Sequence, residues 1–151
     1  MTAFPDLGLL LPHAGPMRLL DRVLEHDAAA TTCAVDPAGS APFRRPDGSV
    51  PCWVGLEYMA QCAAAHGGLV GRALGLPPRP GLFLGSRRVR FFADALRGPL
   101  RVTARHHRGE TGLVAFDCQV RGAAGGVALA EGRIALYVFG DWSALEERLH
   151  G

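Results

Sequence analysis

The sequence contains no lysine, and all 16 basic residues are arginine. Since alanine, glycine, proline and arginine are all used heavily, we attribute this bias to a GC-rich genome and draw no functional conclusion from it. The arginines are scattered and the net charge is only +2, which argues against nucleic acid as the main partner. A local basic patch facing an acidic partner is compatible with the same distribution.

Leader and membrane patterns are also lacking. The N-terminus has no basic region followed by an apolar run and a cleavage site, and no apolar stretch is long and clean enough to cross a bilayer. We therefore expect a cytoplasmic protein. The four cysteines, Cys33, Cys52, Cys62 and Cys118, form no C-x-x-C pair. Small buried thiols are expected, with no metal site.

A chain of 151 residues with 48% hydrophobic and 20% charged residues is expected to form a single globular domain spanning 1–151. The patterns predict strands separated by turns rich in glycine and proline. These strands cover residues 17–25, 31–35, 82–92, 100–107, 112–121 and 127–139. Residues 141–149 form either a short terminal helix capped by Asp141 or a frayed tail.

One strong helix is predicted, from about 53 to 74. It follows a loop over 36–51 that contains four prolines and two glycines, and long loops of this kind tend to be functional. The helix is nearly apolar all round, with Glu57, Gln61, His66 and Arg72 as its few polar residues, so other structure should enclose it. The predicted fold class is α+β, with a curved antiparallel sheet wrapped around one long central helix.

Two motifs resemble the beta-hydroxyacyl-(acyl carrier protein) dehydratase family. Segment 51–61, PCWVGLEYMAQ, is similar to its central-helix motif, in which a proline leads into the helix, a carboxylate lies on the first turns and Met-x-Gln follows. Upstream, LPH at 11–13, Pro16 and LLDRV at 19–23 resemble the family's N-terminal stretch. The resemblance implies a hotdog fold, a dimer with a continuous sheet, and acyl thioesters carried on phosphopantetheine with no other cofactor.

The loop before the helix departs from that family. The family has a catalytic histidine there, in a Gly-His-Phe-Pro segment, whereas residues 42–48 of this chain read PFRRPDG. Segment 50–58, VPCWVGLEY, is similar to a divergent subgroup found with aryl-polyene-type fatty acid synthesis clusters. In that subgroup, a dehydratase-like chain acts as the partner subunit of a second dehydratase-like chain.

Glu57 is the candidate catalytic residue. Dehydration of a 3-hydroxyacyl thioester needs a base for the α-proton and an acid for the leaving hydroxyl, and a carboxyl group in a nearly apolar helix suits one of these roles. Gln61, one turn later, would orient Glu57 or bind the substrate hydroxyl. The structural alternatives are an acid favoured by the helix dipole and a glutamine that satisfies buried backbone groups.

Carbonyl polarisation is assigned to backbone amides at the helix start. Those of Cys52, Trp53 and Val54 should lack helical partners and lie at the positive end of the helix dipole; the resemblance implies the Cys52 amide. Cys52 is better explained as a small buried residue than as a nucleophile. His13, in the proline-bracketed LPH loop, either lines the site and supplies the missing imidazole or holds the loop.

Arg87, Arg88 and Arg90, together with Arg44 and Arg45, form a possible rim for docking an acidic acyl carrier protein; solvated surface arginines are the alternative. Apolar walls could come from Leu82, Phe83, Leu84, Val89 and Phe91, although core packing explains most of them. Four other histidines are interpreted as surface or core residues: His66, His106, His107 and His150.

Three functions fit these residues. The first is dehydration of 3-hydroxyacyl-(acyl carrier protein) to the trans-2-enoyl thioester in fatty acid or polyene-type biosynthesis. The second is acyl thioester hydrolysis, in which the helix carboxylate activates water. The third is a non-catalytic subunit that stabilises a catalytic hotdog partner. Homodimers and heterodimers both remain open.

Overall fold

The computed structural model describes residues 3–11, 15–76, 81–107 and 113–138. It contains one α-helix, α1 (Val54–Ala73), within these residues. The strands are β1 (Arg22–His26), β2 (Ala30–Val35), β3 (Val50–Pro51), β4 (Gly81–Phe91), β5 (Ala95–Leu96), β6 (Leu100–His107), β7 (Leu113–Gly122) and β8 (Ala128–Val138). In the described part of the chain, no helix is long and apolar enough to span a membrane.

Six strands form an antiparallel sheet in the order β1-β2-β6-β7-β8-β4. The helix packs against β2, β6, β7 and β8. Side chains alternate along the strands, so one face is apolar and lies on the helix; its buried residues include Val102, Ala104, Phe116, Cys118 and Val120. The predicted fold class, a curved antiparallel sheet with one long helix, is therefore confirmed.

The N-terminal segment covers helix surface that the sheet leaves open. Most of its leucines are buried, among them Leu10 and Leu19, and Leu9 is exposed. The segment approaches the helix so closely that a Cβ at Gly68 would lie 2.8 Å from the carbonyl oxygen of Leu10. The helix is nearly apolar all round because it is enclosed from both sides.

The helix bounds agree with the predicted 53–74 to within one residue at each end. Trp53 is the N-cap residue and makes no side-chain capping bond. At the other end Gly75 adopts a φ of 72°, which glycine tolerates without strain. The N–H groups of Gly75 and Leu76 then donate to the carbonyls of Arg72 and Gly71, at 3.0 and 2.8 Å, and close the last turn.

The first predicted strand starts too early. Residues Gly15–Met17 form a 3-10 turn, and the N–H of Leu19 donates to the side chain of Gln61, so these residues cannot join the β1 ladder, which begins at Arg22. The pair β3–β5 was not predicted, because two-residue strands leave no periodic pattern. The terminal helix expected at 141–149 lies outside the described residues.

Strand β4 is one edge of the sheet, and core packing does not explain its apolar residues. Phe83, Leu84 and Phe91 are 49%, 50% and 42% exposed, and the adjacent Phe92 is 56% exposed. The register with β8 shifts between Phe83 and Gly85 and again between Arg87 and Arg90. The expectation that most of these side chains belong to the core is wrong for Phe83, Leu84 and Phe91, whereas Val89 is half-buried. An edge strand has a neighbour on one side only, which leaves its side chains more exposed than those of the central strands.

Candidate active site

The helix start is held by the short β3–β5 pair. Val50 pairs with Leu96 and Pro51 with Ala95, and the next residue, Cys52, donates its N–H to the carbonyl of Asp94 at 3.2 Å. The expectation that the Cys52 amide lacks a partner is therefore wrong: the chain extends the strand pairing by one residue before it turns into the helix.

The first helical turn begins immediately after Cys52. The N–H of Gly55 donates to the backbone carbonyl of Cys52 at 2.9 Å, and the N–H of Leu56 donates to the backbone carbonyl of Trp53 at 3.1 Å. The amides of Trp53 and Val54 lie at the positive end of the helix dipole. The side chain of Val54 is fully buried, so only its backbone is available to a substrate.

Glu57 is half-buried on this first turn. One of its oxygens, Oε1, accepts a hydrogen bond of 3.1 Å from Nε2 of Gln61. Residues four apart lie on one face of a helix, so Trp53, Glu57 and Gln61 form a line along the helix surface.

Gln61 is fully buried and connects the helix to the N-terminal segment. Its Oε1 accepts from the N–H of Leu19 at 2.9 Å, and its Nε2 donates to the carbonyl of Met17 at 2.7 Å as well as to Glu57. A primary amide has two N–H donors, so both are engaged. The Gln61 side chain thus satisfies buried backbone groups and orients Glu57 at the same time.

Trp53 is exposed over 55% of its surface. It contacts Phe43 of the preceding loop edge to face, with ring centroids 5.6 Å apart. An exposed aromatic ring one turn before Glu57 provides an apolar surface at the entrance to this part of the helix.

The loop over 36–49 is anchored behind the helix by a pair that sequence reasoning missed. The hydroxyls of Ser40 and Tyr58 are 2.7 Å apart, and both residues are fully buried. Burial raises the pKa of Tyr58, so the phenol stays neutral and serves as an anchor. No local spacing indicates this contact, because the partners are separated by a proline-rich loop.

His13 lies outside the described residues. Two described residues near it in the sequence contact the helix: Leu10 packs against Gly68, and the carbonyl of Met17 accepts a hydrogen bond from Gln61.

All four cysteines are buried and reduced, so the prediction of small buried thiols is confirmed. The Sγ of Cys62 lies 3.3 Å from the carbonyl oxygen of Thr31 and 3.4 Å from that of Val102, and its one S–H points into this pair of acceptors. Burial raises the pKa of the Cys52 thiol, which disfavours the thiolate that a nucleophile requires. Within the described ranges, no group of three histidine, cysteine or acidic residues could hold a metal ion.

The three candidate docking arginines lie on β4 and are exposed. Arg87 faces Arg133 across the β4–β8 ladder, and Arg90 faces Glu131. Arg88 occupies the bulge between them with a φ of 55°, an unusual conformation for a residue with a side chain.

A cluster of histidines surrounds Thr31 on the far part of the helix. The Thr31 hydroxyl is 2.7 Å from Nδ1 of His26 and 2.8 Å from Nδ1 of His66. The ring of His106 stacks on that of His66, with centroids 5.9 Å apart. His66 is nine residues beyond Glu57, about 13 Å along the helix axis, so this cluster is separate from the candidate site.

The histidine cluster predicts acid sensitivity. Burial, followed by the neighbouring His26 and His106, lowers the pKa of His66 to about 4, from 6.5. The unfolded chain therefore binds the additional proton between these values, and the free energy of unfolding should fall by up to about 3 kcal/mol as the pH drops from about 6.5 to about 4. Urea denaturation at several pH values measures this, and His66→Gln should flatten that part of the profile. If the free energy of unfolding fell equally with pH in the unaltered protein and in His66→Gln, His66 would not be the source of the acid sensitivity.

A curved antiparallel sheet around one central helix, with a carboxylate on the first helical turn, defines a hotdog protein of the dehydratase and thioesterase class. A family model described as ApeP-like, ApeP dehydratase, matches residues 5–146. The chain belongs to this dehydratase family. The comparison with curated proteins found no match.

Solved structures agree on the fold. The dehydratase heterocomplex ApeI:P from Xenorhabdus doucetiae is similar with a TM-score of 0.86 at 23% identity, covering 98% of this chain and 99% of that chain. A mutant of thioesterase PA1618 from Pseudomonas aeruginosa is similar with a TM-score of 0.55 at 15% identity, covering 78% of this chain and 79% of that chain. A hypothetical thioesterase from Streptococcus pneumoniae, solved with coenzyme A, is similar with a TM-score of 0.59 at 13% identity, covering 80% of this chain and 86% of that chain.

Proposed function

We propose that this chain acts in the dehydration of 3-hydroxyacyl thioesters on acyl carrier protein to trans-2-enoyl thioesters, in fatty acid or polyene-type biosynthesis. The observation that carries the proposal is the placement of Glu57: the acid lies half-buried on the first turn of the central helix and is oriented by a fully buried glutamine. Family membership supplies the reaction class. The proposed location of the reaction is the cytoplasm.

The proposed chemistry is an elimination. A base takes the α-proton, the C–H electron pair forms the double bond between the α- and β-carbons, and the β-hydroxyl leaves as water after it accepts a proton. Glu57 carries one of these two proton transfers. The amides of Trp53 and Val54 polarise the thioester carbonyl from the positive end of the helix dipole, and the exposed ring of Trp53 contacts the acyl group. No cofactor is needed beyond the phosphopantetheine of the carrier.

His13 is proposed for the second proton transfer. The family's loop histidine is missing from residues 42–48, and Met17, four residues after His13 in the sequence, accepts a hydrogen bond from Gln61 beside Glu57. Gln61 is proposed to position Glu57 rather than to bind the substrate hydroxyl, since both of its N–H donors are engaged. The arginines on β4 are proposed to receive the acidic carrier protein.

A second hotdog subunit is the proposed partner. The exposed Phe83, Leu84, Phe91 and Phe92 lie on or beside an edge strand, and such an edge presents unpaired backbone groups to another strand. The ApeI:P structure is itself a heterocomplex, which favours a different dehydratase subunit over a second copy of this chain. The absence of the loop histidine supports one alternative function, a non-catalytic subunit that stabilises the catalytic partner.

Mass spectrometry of the carrier tests these functions. The full chain is incubated with a 3-hydroxyacyl carrier protein, alone and with a hotdog subunit encoded beside it. Loss of one water from the carrier-bound acyl group, abolished by Glu57→Gln in this chain, supports the proposal. Turnover that requires the chain but is unchanged by Glu57→Gln supports the non-catalytic subunit. Release of the free carrier thiol would instead identify a thioesterase.

A further inference from the structure

The outer face of the sheet, which points away from the helix, carries an excess of arginine. The residues alternate with the buried ones along β4, β6, β7 and β8, so their positions follow from the register. We call five of them the outer arginine face: Arg87, Arg101, Arg105, Arg121 and Arg133.

Two pairs within the outer arginine face place like charges directly opposite each other. Arg87 faces Arg133 between β4 and β8, and Arg101 faces Arg121 between β6 and β7. Like charges directly opposite each other destabilise a sheet. One arginine of each pair has a structural partner: Arg133 donates to Asp117, and Arg121 donates to Gln119 and to the carbonyl of Gly126. The arginines opposite them, Arg87 and Arg101, make no such hydrogen bond within the described residues, which indicates a different use for these two side chains.

Neighbouring acids neutralise only part of this charge. Asp117 accepts from Nε of Arg133 at 2.8 Å and is also bonded to His107. Arg101 approaches Glu25 only to 3.8 Å. Arg87 is exposed and makes no ion pair within the described residues.

The size and chemistry of the surface fit an acidic protein. Across the strands, Arg105 and Arg87 are three strand spacings apart, about 14 Å. Along β6, Arg101 and Arg105 are four positions apart, about 13 Å. Each of these distances is about the length of a short acidic helix. Guanidinium groups bind carboxylates in a bidentate manner. Asp117 and Glu131 lie among the arginines and divide the positive charge into separate positions, which the discrete carboxylates of a folded protein can match and a regular phosphate backbone cannot.

One end of the surface borders the candidate site. Arg87 and Arg90 are on β4. The strand leads to Phe92, whose N–H donates to the carbonyl oxygen of Leu129 at 2.9 Å. The thiol of Cys52, at the helix start, lies 3.8 Å from the same carbonyl oxygen. The end of β4 and the helix start therefore meet at one carbonyl oxygen, so a substrate arm from a protein on the outer face would reach the first helical turn around this end of the sheet.

We propose that the acidic surface of the carrier protein docks on the outer arginine face and not only on the β4 rim. This inference rests on the proposed function for the identity of its partner. The docking surface then spans β4, β8, β7 and β6, and binding neutralises the arginine charge that the neighbouring acids leave, that of Arg87 above all.

The test is the binding of fluorescently labelled apo carrier protein to the full chain, with its hotdog partner present, followed by anisotropy. Arg87→Glu should weaken binding about tenfold at low salt, with a smaller difference at high salt. Because the substitution turns the Arg87–Arg133 pair into an opposite-charge pair, thermal stability should stay equal or increase. The matched control is Arg72→Glu, which reverses an exposed arginine on the last turn of the helix.

Equal affinities for Arg87→Glu and Arg72→Glu would overturn the docking surface. So would a salt-independent affinity of the unaltered protein. The assay contains no substrate and needs no turnover, so it remains readable if the chain proves non-catalytic. Failure of the dehydration assay with intact, arginine-dependent binding would therefore refute the proposed chemistry and leave the docking surface standing.

Discussion

Replacing Glu57 by glutamine should lower the rate of dehydration by about 10²- to 10⁴-fold, the usual contribution of a positioned acid or base. The amide oxygen of the new side chain can still accept from Gln61, so the hydrogen bond of 3.1 Å has a replacement and the fold should persist. The measurement is enoyl formation under single-turnover conditions, using the chain together with its hotdog partner.

The matched control for this substitution is Glu25→Gln. Glu25 is an exposed carboxylate on β1, with 68% of its side chain accessible, and it lies on the opposite face of the sheet from the helix. We expect its rate with a pantetheine-linked substrate to equal that of the unaltered protein. A rate for Glu57→Gln within twofold of the control would show that Glu57 carries no proton transfer.

Replacing Gln61 by methionine should affect both stability and catalysis. The buried N–H of Leu19 and the carbonyl of Met17 would lose their partners, at a cost of about 1–3 kcal/mol for each unsatisfied group. Glu57 would also lose its orienting donor, so the turnover number should fall while the Michaelis constant changes little. Denaturation curves and kinetics at a temperature where the variant is folded measure the two effects separately.

Gln119→Met is the control for Gln61→Met. Gln119 lies on the outer face of β7 and only accepts from Arg121, at 2.8 and 3.1 Å, so its loss should change stability by no more than about 0.5 kcal/mol. If Gln61→Met were equally mild, or if its turnover number were unchanged, Gln61 would not be a positioning residue for Glu57.

The helix and most of the sheet could be predicted because their patterns are local. A long apolar segment ends at Gly75, and the strands after it alternate between polar and apolar residues. Glu57 and Gln61 could be placed on one helix face for the same reason, since helical spacing depends only on sequence separation.

The remaining features depend on distant contacts. The pairing of Cys52 with Asp94 and the bond between Ser40 and Tyr58 join segments far apart in the chain, and no periodicity indicates them. The apolar residues of β4 were expected in the core, because hydrophobicity alone does not distinguish a core from an edge that faces a partner. The histidine cluster likewise forms only when β1, β6 and the helix meet around Thr31.

The most direct measurement is a crystal structure of the chain with its hotdog partner and a non-hydrolysable 3-hydroxyacyl pantetheine, in which an amide replaces the thioester. We predict that the Glu57 carboxylate lies within about 3.2 Å of the α-carbon or the β-hydroxyl oxygen, or reaches one of them through a single water. The analogue's carbonyl should point at the amides of Trp53 and Val54. An analogue bound far from the first helical turn, with Glu57 turned towards bulk water, would contradict the proposed site.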